Sequence, residues 1–146
     1  MPIEPKVKQM ASFNRQARLV AIVDDDQDLR ESIEMLLMTR GVPCRQYASA
    51  ETFLADPHAF ENLGCLLIDQ NFPGLMSGTD LLRHLAADGR LPPAILFSAR
   101  LTERTATEAR MAGALAVLDK PVRPAALLSQ LSTALSFAPA VAAAEP

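Results

Sequence analysis

The sequence predicts an α/β fold: a doubly wound, five-stranded parallel sheet in the strand order 2-1-3-4-5, with helices on both faces. Two observations indicate it. From Leu19 onward, short apolar runs typical of buried strands alternate with segments whose apolar residues recur at helical spacing. Four of these runs also end in polar residues, which parallel strands would deliver to one rim of the sheet.

The first predicted strand covers residues 19–23, and an apolar stripe at helical spacing predicts a helix after it. The four side chains of that stripe are Leu29, Ile33, Leu36 and Leu37. Asp26 is the candidate N-cap of this helix, and Gly41 is the candidate residue just past its C-terminus. The second strand is predicted at residues 42–47.

In the middle of the chain, Ser49 is placed to cap a short helix. Its two buried side chains would be Phe53 and Leu54. The third strand is the apolar run at residues 65–68, which ends at Asp69. A helix that Gly89 ends follows it, and three leucines of this helix are predicted to face the core: Leu81, Leu82 and Leu85.

The fourth predicted strand, residues 94–97, ends at Ser98. A helix is then predicted from Thr102 to Ala112, and its candidate buried positions are mainly Ala106, Ala109 and Met111. At about 25 cal/mol per Å² of apolar surface buried, alanines anchor a helix less firmly than leucines. We therefore expect this fourth helix to shift or open more readily than the others.

The fifth predicted strand, residues 116–118, leads into Asp119, Lys120 and Pro121. The last helix has Pro124 near its first position. Its apolar stripe consists of Leu127, Leu128, Leu131 and Leu135.

The chain of 146 residues fits one domain with a core of its own. Residues 1–17 lack periodicity and are interpreted as a flexible N-terminal arm. Residues 18–136 form the predicted domain, and residues 137–146 are an Ala- and Pro-rich tail that we expect to be disordered.

Composition excludes several classes of partner. The formal net charge of -3 argues against direct nucleic-acid binding, which normally needs a basic surface. No apolar run approaches the roughly 20 residues that span a bilayer, and the N-terminus lacks the apolar centre of a secretory signal, so we expect a cytoplasmic protein without membrane contact. Cys44 and Cys65 both fall in predicted strands and are interpreted as reduced core residues.

The predicted strand order brings three carboxylates to one rim: Asp24, Asp25 and Asp69. Two unit charges about 4 Å apart repel by about 4 kcal/mol at an effective dielectric constant near 20. Such a cluster must hold protons or a cation, and a hard divalent ion with oxygen ligands is the natural solution. Mg²⁺ suits a site with few protein carboxylates, because it keeps several waters and accepts phosphate oxygens.

Ser98 and Lys120 offer a hydroxyl donor and a compact positive charge that suit the other side of a phosphoryl group. Together with the carboxylates and a metal, they form a set suited to phosphoryl transfer onto aspartate. Each residue alone also has an ordinary interpretation. Asp69 could simply start a loop, Lys120 could be a surface lysine, and Asp26 is best explained as a helix cap.

From Leu19 to about Ser136 the chain resembles the flavodoxin-like receiver domain of bacterial two-component response regulators. The residues that carry this resemblance are Ile22-Val23-Asp24-Asp25, Asp69 with Pro73 four residues later, Ser98-Ala99 and Lys120-Pro121. The resemblance implies that Asp69 is the phosphoacceptor and that Mg²⁺ is held by Asp24, Asp25, Asp69 and the backbone carbonyl of Asn71. It also implies that Lys120 pairs with the phosphoryl group, that Ser98 donates to it, and that the Lys120-Pro121 peptide is cis.

The resemblance further implies partners. The phosphoryl donor would be a sensor histidine kinase or a histidine phosphotransfer protein, and the phosphorylated domain would bind a downstream protein target, with a homodimer as a further assembly. Enzymatic activity would be limited to self-phosphorylation from small phosphodonors and slow self-dephosphorylation. We expect either a receiver that acts alone or one cut from a longer protein, since no output region follows in the sequence.

Two departures from the family pattern stand out. The stretch Gly74-Leu75-Met76-Ser77, between Pro73 and Gly78, is one residue longer than usual. Val117 stands three residues before Lys120, where many receivers carry an aromatic ring that turns inward on activation. We therefore expect phosphorylation to be retained and the switching mechanism to differ.

Two alternatives remain at this point. One is a receiver-like binding module that is not phosphorylated. The other is a haloacid-dehalogenase-like phosphatase that would use Asp24 and Asp26 as an Asp-x-Asp motif, although Asp28 fits that motif poorly and no paired acidic motif follows Lys120.

Overall fold

The predicted strands all form. The computed structural model describes the backbone of residues 19–72, 74 and 76–143, and the side chains as far as residue 135. The strands are β1 (Leu19–Val23), β2 (Cys44–Tyr47), β3 (Leu63–Asp69), β4 (Ala94–Ser98) and β5 (Ala116–Asp119). They pair in parallel in the order β2-β1-β3-β4-β5, which confirms the predicted topology.

Five helices connect or follow the strands. They are α1 (Gln27–Met38), α2 (Ala50–Ala55), α3 (Gly78–Ala87), α4 (Glu103–Met111) and α5 (Pro124–Ala143). The predicted caps are present: Asp26 accepts a hydrogen bond from the Leu29 N–H, and Ser49 accepts one from the Thr52 N–H. Helix α1 ends at Met38, slightly before its predicted end, and Gly41 turns the chain with a φ of 69°.

Strand side chains alternate between two cores, one on each face of the sheet. Val20 and Ile22 of β1 pack with the apolar side chains of α1 and α5. Ala21 and Val23 of the same strand pack with those of α2, α3 and α4 on the opposite face. Helices therefore cover both faces, as the fold class requires, and the carboxyl ends of the parallel strands lie together along one rim of the sheet.

Helix α4 packs on the core mainly through alanines, as predicted, but one residue that was predicted to face the core is exposed. Ala106 and Ala109 are buried, whereas Met111 is 82% exposed. Successive helical residues turn by about 100°, so a residue two positions after Ala109 lies about 200° around the helix. Ala112, three positions after Ala109, takes the inward place instead and is buried.

Helix α5 is longer than expected. Its backbone continues to Ala143, past the predicted end at Ser136, in a segment that contains Ala138, Ala140 and Ala142. Alanine is the strongest helix former and favours the continuation, whereas Pro139 within the segment opposes it. The predicted N-terminal arm at residues 1–17 and the last three residues of the tail lie outside the described residues.

Both cysteines are free thiols. Cys65 is buried in β3, and burial raises the pKa of its thiol to about 12, so it behaves as an apolar core residue. Cys44 is only half-buried at the start of β2, so its predicted place in the core is only partly correct. Among the described residues, the helices are too short or too polar to cross a lipid bilayer.

Candidate phosphoacceptor site

Four strand ends bring polar side chains to the rim. Asp24 follows β1, Asp69 ends β3, Ser98 ends β4 and Lys120 follows β5. Val23 pairs with Ile68 across the β1–β3 ladder, so the next residue on each strand, Asp24 and Asp69, leaves the sheet side by side. This placement follows from the register of neighbouring parallel strands.

The three predicted carboxylates form a cluster. Asp24, Asp25 and Asp69 each offer a carboxylate oxygen, and these oxygens all lie within 4.8 Å of one another. Asp24 and Asp69 are buried, while Asp25 is exposed at the mouth. Oxygen donors of this kind, open to solvent on one side, fit a hard divalent cation that keeps part of its water shell.

Asp24 carries an unusual oxygen. Its Oδ1 accepts a hydrogen bond of 2.9 Å from the Asp26 N–H. Its buried Oδ2 lacks a well-oriented hydrogen bond among the described residues, although the Lys120 Nζ lies 3.0 Å away. A buried carboxylate oxygen with spare acceptor capacity is where a cation could bind, so the donor set fits Mg²⁺.

Lys120 balances part of the negative charge. Its Nζ lies 3.0 Å from Asp24 Oδ2 and 3.2 Å from Asp69 Oδ1. Burial alone would lower the pKa of Lys120, but its close ion pairs with the two carboxylates outweigh burial and raise it. The Lys120 N–H donates to the Ser98 carbonyl at 2.9 Å, and the Lys120-Pro121 peptide is cis, as the resemblance implies.

The surroundings of Asp69 shift the pKa of its carboxyl group upward. Burial raises the pKa of its carboxyl group, and the neighbouring charge of Asp24 raises it further. Lys120 and a hydrogen bond from the Asn71 backbone oppose that shift without cancelling it. A cation at the carboxylate cluster would favour the ionised form, which is the form able to act as a nucleophile.

Ser98 and Asn71 also lie at the rim. Ser98 is buried at the end of β4, and its Oγ accepts a hydrogen bond of 3.3 Å from the Arg100 N–H. The hydroxyl therefore has a described bond to the loop after β4, not to Asp69. Asn71 is exposed, and its backbone N–H contacts the Asp69 carboxylate. The metal-binding role of its carbonyl stays a prediction.

Gln70 is a contributor that the sequence analysis missed. Its Oε1 accepts hydrogen bonds from the Thr79 N–H at 2.9 Å and from the Thr79 Oγ1 at 2.6 Å. Its backbone carbonyl accepts one from the Gly78 N–H at 2.9 Å. Hydrogen bonds to Gln70 thus hold the start of α3 directly behind Asp69. No local motif signals a glutamine in this role.

The two departures from the family pattern fall on different parts of the site. Pro73 and Leu75, which belong to the longer loop, lie outside the described residues. Val117 is half-buried and packs against the core on the face of α2, α3 and α4. Valine lacks a ring that could turn inward, which is why a different switching route is expected. That expectation stays a prediction.

Asp26 has the structural role expected for it. It is exposed, and its Oδ1 accepts a hydrogen bond of 3.2 Å from the Leu29 N–H at the start of α1. A side chain committed to capping α1 does not suit the second aspartate of a phosphatase Asp-x-Asp motif. This argues against the haloacid-dehalogenase-like alternative.

The chain is similar to known proteins over most of its length. The family model of the response regulator receiver domain matches residues 20–132. The response regulator protein TmoT of Ectopseudomonas mendocina is 36% identical over 127 residues, which are 87% of this chain and 57% of TmoT. The transcriptional regulatory protein FixJ of Azorhizobium caulinodans is 34% identical over 116 residues, which are 80% of this chain and 54% of FixJ. The chain spans about half the length of these curated relatives.

Solved structures agree with this match. The crystal structure of FixJ-N superposes with a TM-score of 0.72 at 31% identity, over 82% of this chain and 94% of that chain. The low-resolution structure of the response regulator StyR gives a TM-score of 0.73 at 32% identity, over 88% of this chain and 64% of that chain. Sequence, fold and rim geometry point the same way, and the chain therefore belongs to the response regulator receiver domain family.

Proposed function

We propose that this receiver accepts a phosphoryl group on Asp69, with Mg²⁺ held by Asp24, Asp25 and Asp69. The observation that carries the proposal is the carboxylate cluster, whose oxygens lie within 4.8 Å of one another, faced by the Lys120 ammonium 3.2 Å from Asp69. A cluster that only stabilised the fold would not need three like charges at an open rim, because their repulsion costs free energy.

The reaction proceeds by attack of an Asp69 carboxylate oxygen on phosphorus. A new O–P bond forms, giving an acyl phosphate, while the P–N bond of a phosphohistidine donor breaks and its electron pair returns to the imidazole ring. With a small donor such as acetyl phosphate, the P–O bond breaks instead and acetate leaves. When bound, Mg²⁺ supplies positive charge to the transferring oxygens.

Three further residues have proposed roles. Lys120 pairs with an oxygen of the transferred phosphoryl group, and its position 3.0 Å from Asp24 and 3.2 Å from Asp69 supports this role. Ser98 donates a hydrogen bond from its hydroxyl group to another oxygen. In the present structure its Oγ instead accepts a hydrogen bond from the Arg100 N–H. The backbone carbonyl of Asn71 completes the metal ligands.

The donor would be a sensor histidine kinase or a histidine phosphotransfer protein, acting in the cytoplasm. The output would be a change in protein binding at the surface formed by α4, β5 and α5, with a downstream protein or a second copy of the chain as the partner. The light anchoring of α4 by Ala106 and Ala109 supports a change there, because little apolar burial opposes its movement.

Labelling with radioactive acetyl phosphate tests the acceptor. We expect the wild-type protein to incorporate label with Mg²⁺ and to lose incorporation when EDTA removes the metal. Asp69→Asn should abolish incorporation. Asp119→Asn, which removes an exposed carboxylate at the end of β5, is the matched control and should label normally.

Equal label in wild type and Asp69→Asn would show that another residue is the acceptor. No label in the wild type, from acetyl phosphate or from phosphohistidine donors, would favour the alternative of a receiver-like binding module that is not phosphorylated.

A further inference from the structure

Arg30 on α1 reaches back to the end of β1. Its Nη1 donates a hydrogen bond of 2.5 Å to the backbone carbonyl oxygen of Asp24. Its Nε donates one of 3.1 Å to the Oε1 of Gln46 on β2. The half-buried guanidinium thus joins α1, the acidic end of β1 and the neighbouring strand. A planar group with several fixed donors can do this, whereas an ammonium cannot match both directions equally well.

Gln46 is itself held in place. Its Nε2 donates to the carboxylate of Glu34, which lies one helical turn after Arg30 on α1. This bond turns the amide so that the Oε1 faces the guanidinium. Arg30, Gln46 and Glu34 therefore form one hydrogen-bonded chain that ends on Asp24.

The Asp24 carbonyl matters because it belongs to the peptide that links Asp24 to Asp25. A peptide unit is planar, so fixing its oxygen also fixes the direction in which the chain enters Asp25. The Asp24 side chain has restraints of its own, from the Asp26 N–H and from Lys120. Among the described hydrogen bonds, none reaches the Asp25 carboxylate, so the orientation of the preceding peptide is its main described restraint.

We propose that Arg30 is a positioning residue that sets the Asp24–Asp25 peptide and thereby directs the two carboxylates toward the cation. This inference rests on the proposed function, since it concerns the same metal site. Two physical effects of Arg30 oppose each other there. Its positive charge repels a dication, so charge alone predicts that neutralising Arg30 tightens binding. Loss of the positioning contact predicts that binding weakens.

Electron paramagnetic resonance measures Mn²⁺ binding to the full chain. It distinguishes the two effects, because they change the Mn²⁺ affinity in opposite directions. We expect Arg30→Gln to weaken Mn²⁺ binding by about 10-fold, and Arg30→Lys to bind with intermediate affinity. Gln46→Leu keeps the charge of Arg30 but removes its orienting partner, and it should also weaken binding. Arg104→Gln, which neutralises an exposed arginine paired with Glu108 on α4, is the matched control and should bind as the wild type does.

A metal-free measurement completes the test. In EDTA, the ¹³C resonance of the Asp24 carbonyl and the amide resonance of Asp25 should shift in Arg30→Gln and Gln46→Leu, while the thermal unfolding curves confirm that both variants fold. Unchanged or tighter Mn²⁺ binding by both variants would overturn the role of Arg30. A wild-type protein that binds no Mn²⁺ would instead overturn the metal site itself, and the inference with it.

Discussion

A Cβ atom added to Gly78 would lie 2.4 Å from the backbone carbonyl oxygen of Asp69. Both atoms belong to rigid parts of the chain, so no side-chain rotation can relieve the overlap. The Gly78 N–H also donates to the carbonyl of Gln70, the residue after Asp69. The first turn of α3 is therefore packed directly onto the backbone of the proposed phosphoacceptor, and glycine is required there for close approach.

Gly78→Ala should disturb Asp69 more than it disturbs the fold. We expect a loss of unfolding free energy of about 1–3 kcal/mol, as for other overpacked sites, together with a clear drop in the rate of labelling by acetyl phosphate. Gly41→Ala is the control, because its φ of 69° disfavours alanine while no atom lies within 4 Å. It should cost about 1–2 kcal/mol and leave the labelling rate unchanged. Equal labelling by both variants would contradict the link between Gly78 and Asp69.

Tyr47 offers a spectroscopic check on the sheet edge beside β1. Its hydroxyl donates to Asp56 at 2.5 Å, and burial followed by the Asp56 interaction raises its pKa to about 12. The chain has one tyrosine and no tryptophan, so an ultraviolet absorbance titration reports this group alone. We expect it to ionise near pH 12 in the folded protein, and Asp56→Asn should lower that value. Between the ordinary tyrosine pKa near 10 and 12, the folded state binds more protons, so stability should fall as pH rises.

An ordinary pKa for Tyr47 in the folded wild type would contradict this contact. The rings of Tyr47 and Phe53 pack edge-to-face, with their centroids 5.2 Å apart. Phe53→Leu provides a control, because it alters packing around the Tyr47 ring and leaves the hydroxyl contact to Asp56 in place. It should change the pKa less than Asp56→Asn does.

The placement of the acidic cluster could be predicted from the sequence because it depends on topology alone. Once β1, β3, β4 and β5 are parallel neighbours, their polar ends must share one rim, whatever the details of packing. The roles of Arg30 and Gln70 could not be predicted in the same way. Each depends on a side chain reaching a partner on another element, Gln46 for Arg30 and Thr79 for Gln70, and that geometry exists only after the elements have packed.

Met111 illustrates a second kind of limit. The sequence analysis grouped Met111 with Ala106 and Ala109 because it is apolar. It did not take account of the angle of about 200° that separates positions 109 and 111 around a helix. Met111→Gln should therefore change the unfolding free energy by less than about 0.5 kcal/mol, as expected at an exposed site. Ala109→Gln, which inserts a polar group at a fully buried position of the same helix, should destabilise by several times that amount in urea unfolding. Similar costs for the two variants would contradict the assigned faces of α4.

Asp69→Asn should stabilise the metal-free protein increasingly as pH rises. Burial and the Asp24 charge raise the pKa of Asp69 in the folded state, so the folded protein binds a proton that the unfolded chain releases. Stability from this group is therefore present below the unfolded pKa near 3.9 and is lost as pH rises through the folded value. Asparagine does not ionise, so in EDTA we expect Asp69→Asn to gain stability relative to the wild type as pH rises from 5 to 8.

Urea unfolding at pH 5 and pH 8, in EDTA and in Mg²⁺, measures this effect. The advantage of Asp69→Asn should grow with pH in EDTA and shrink when Mg²⁺ is added, because the cation stabilises the ionised carboxylate of the wild type. Asp119→Asn, which removes an exposed carboxylate outside the cluster, is the control and should leave the stabilisation by Mg²⁺ unchanged. A difference between wild type and Asp69→Asn that stayed constant with pH and metal would mean that Asp69 is already fully balanced by Lys120, and that the cluster has no electrostatic need of a cation.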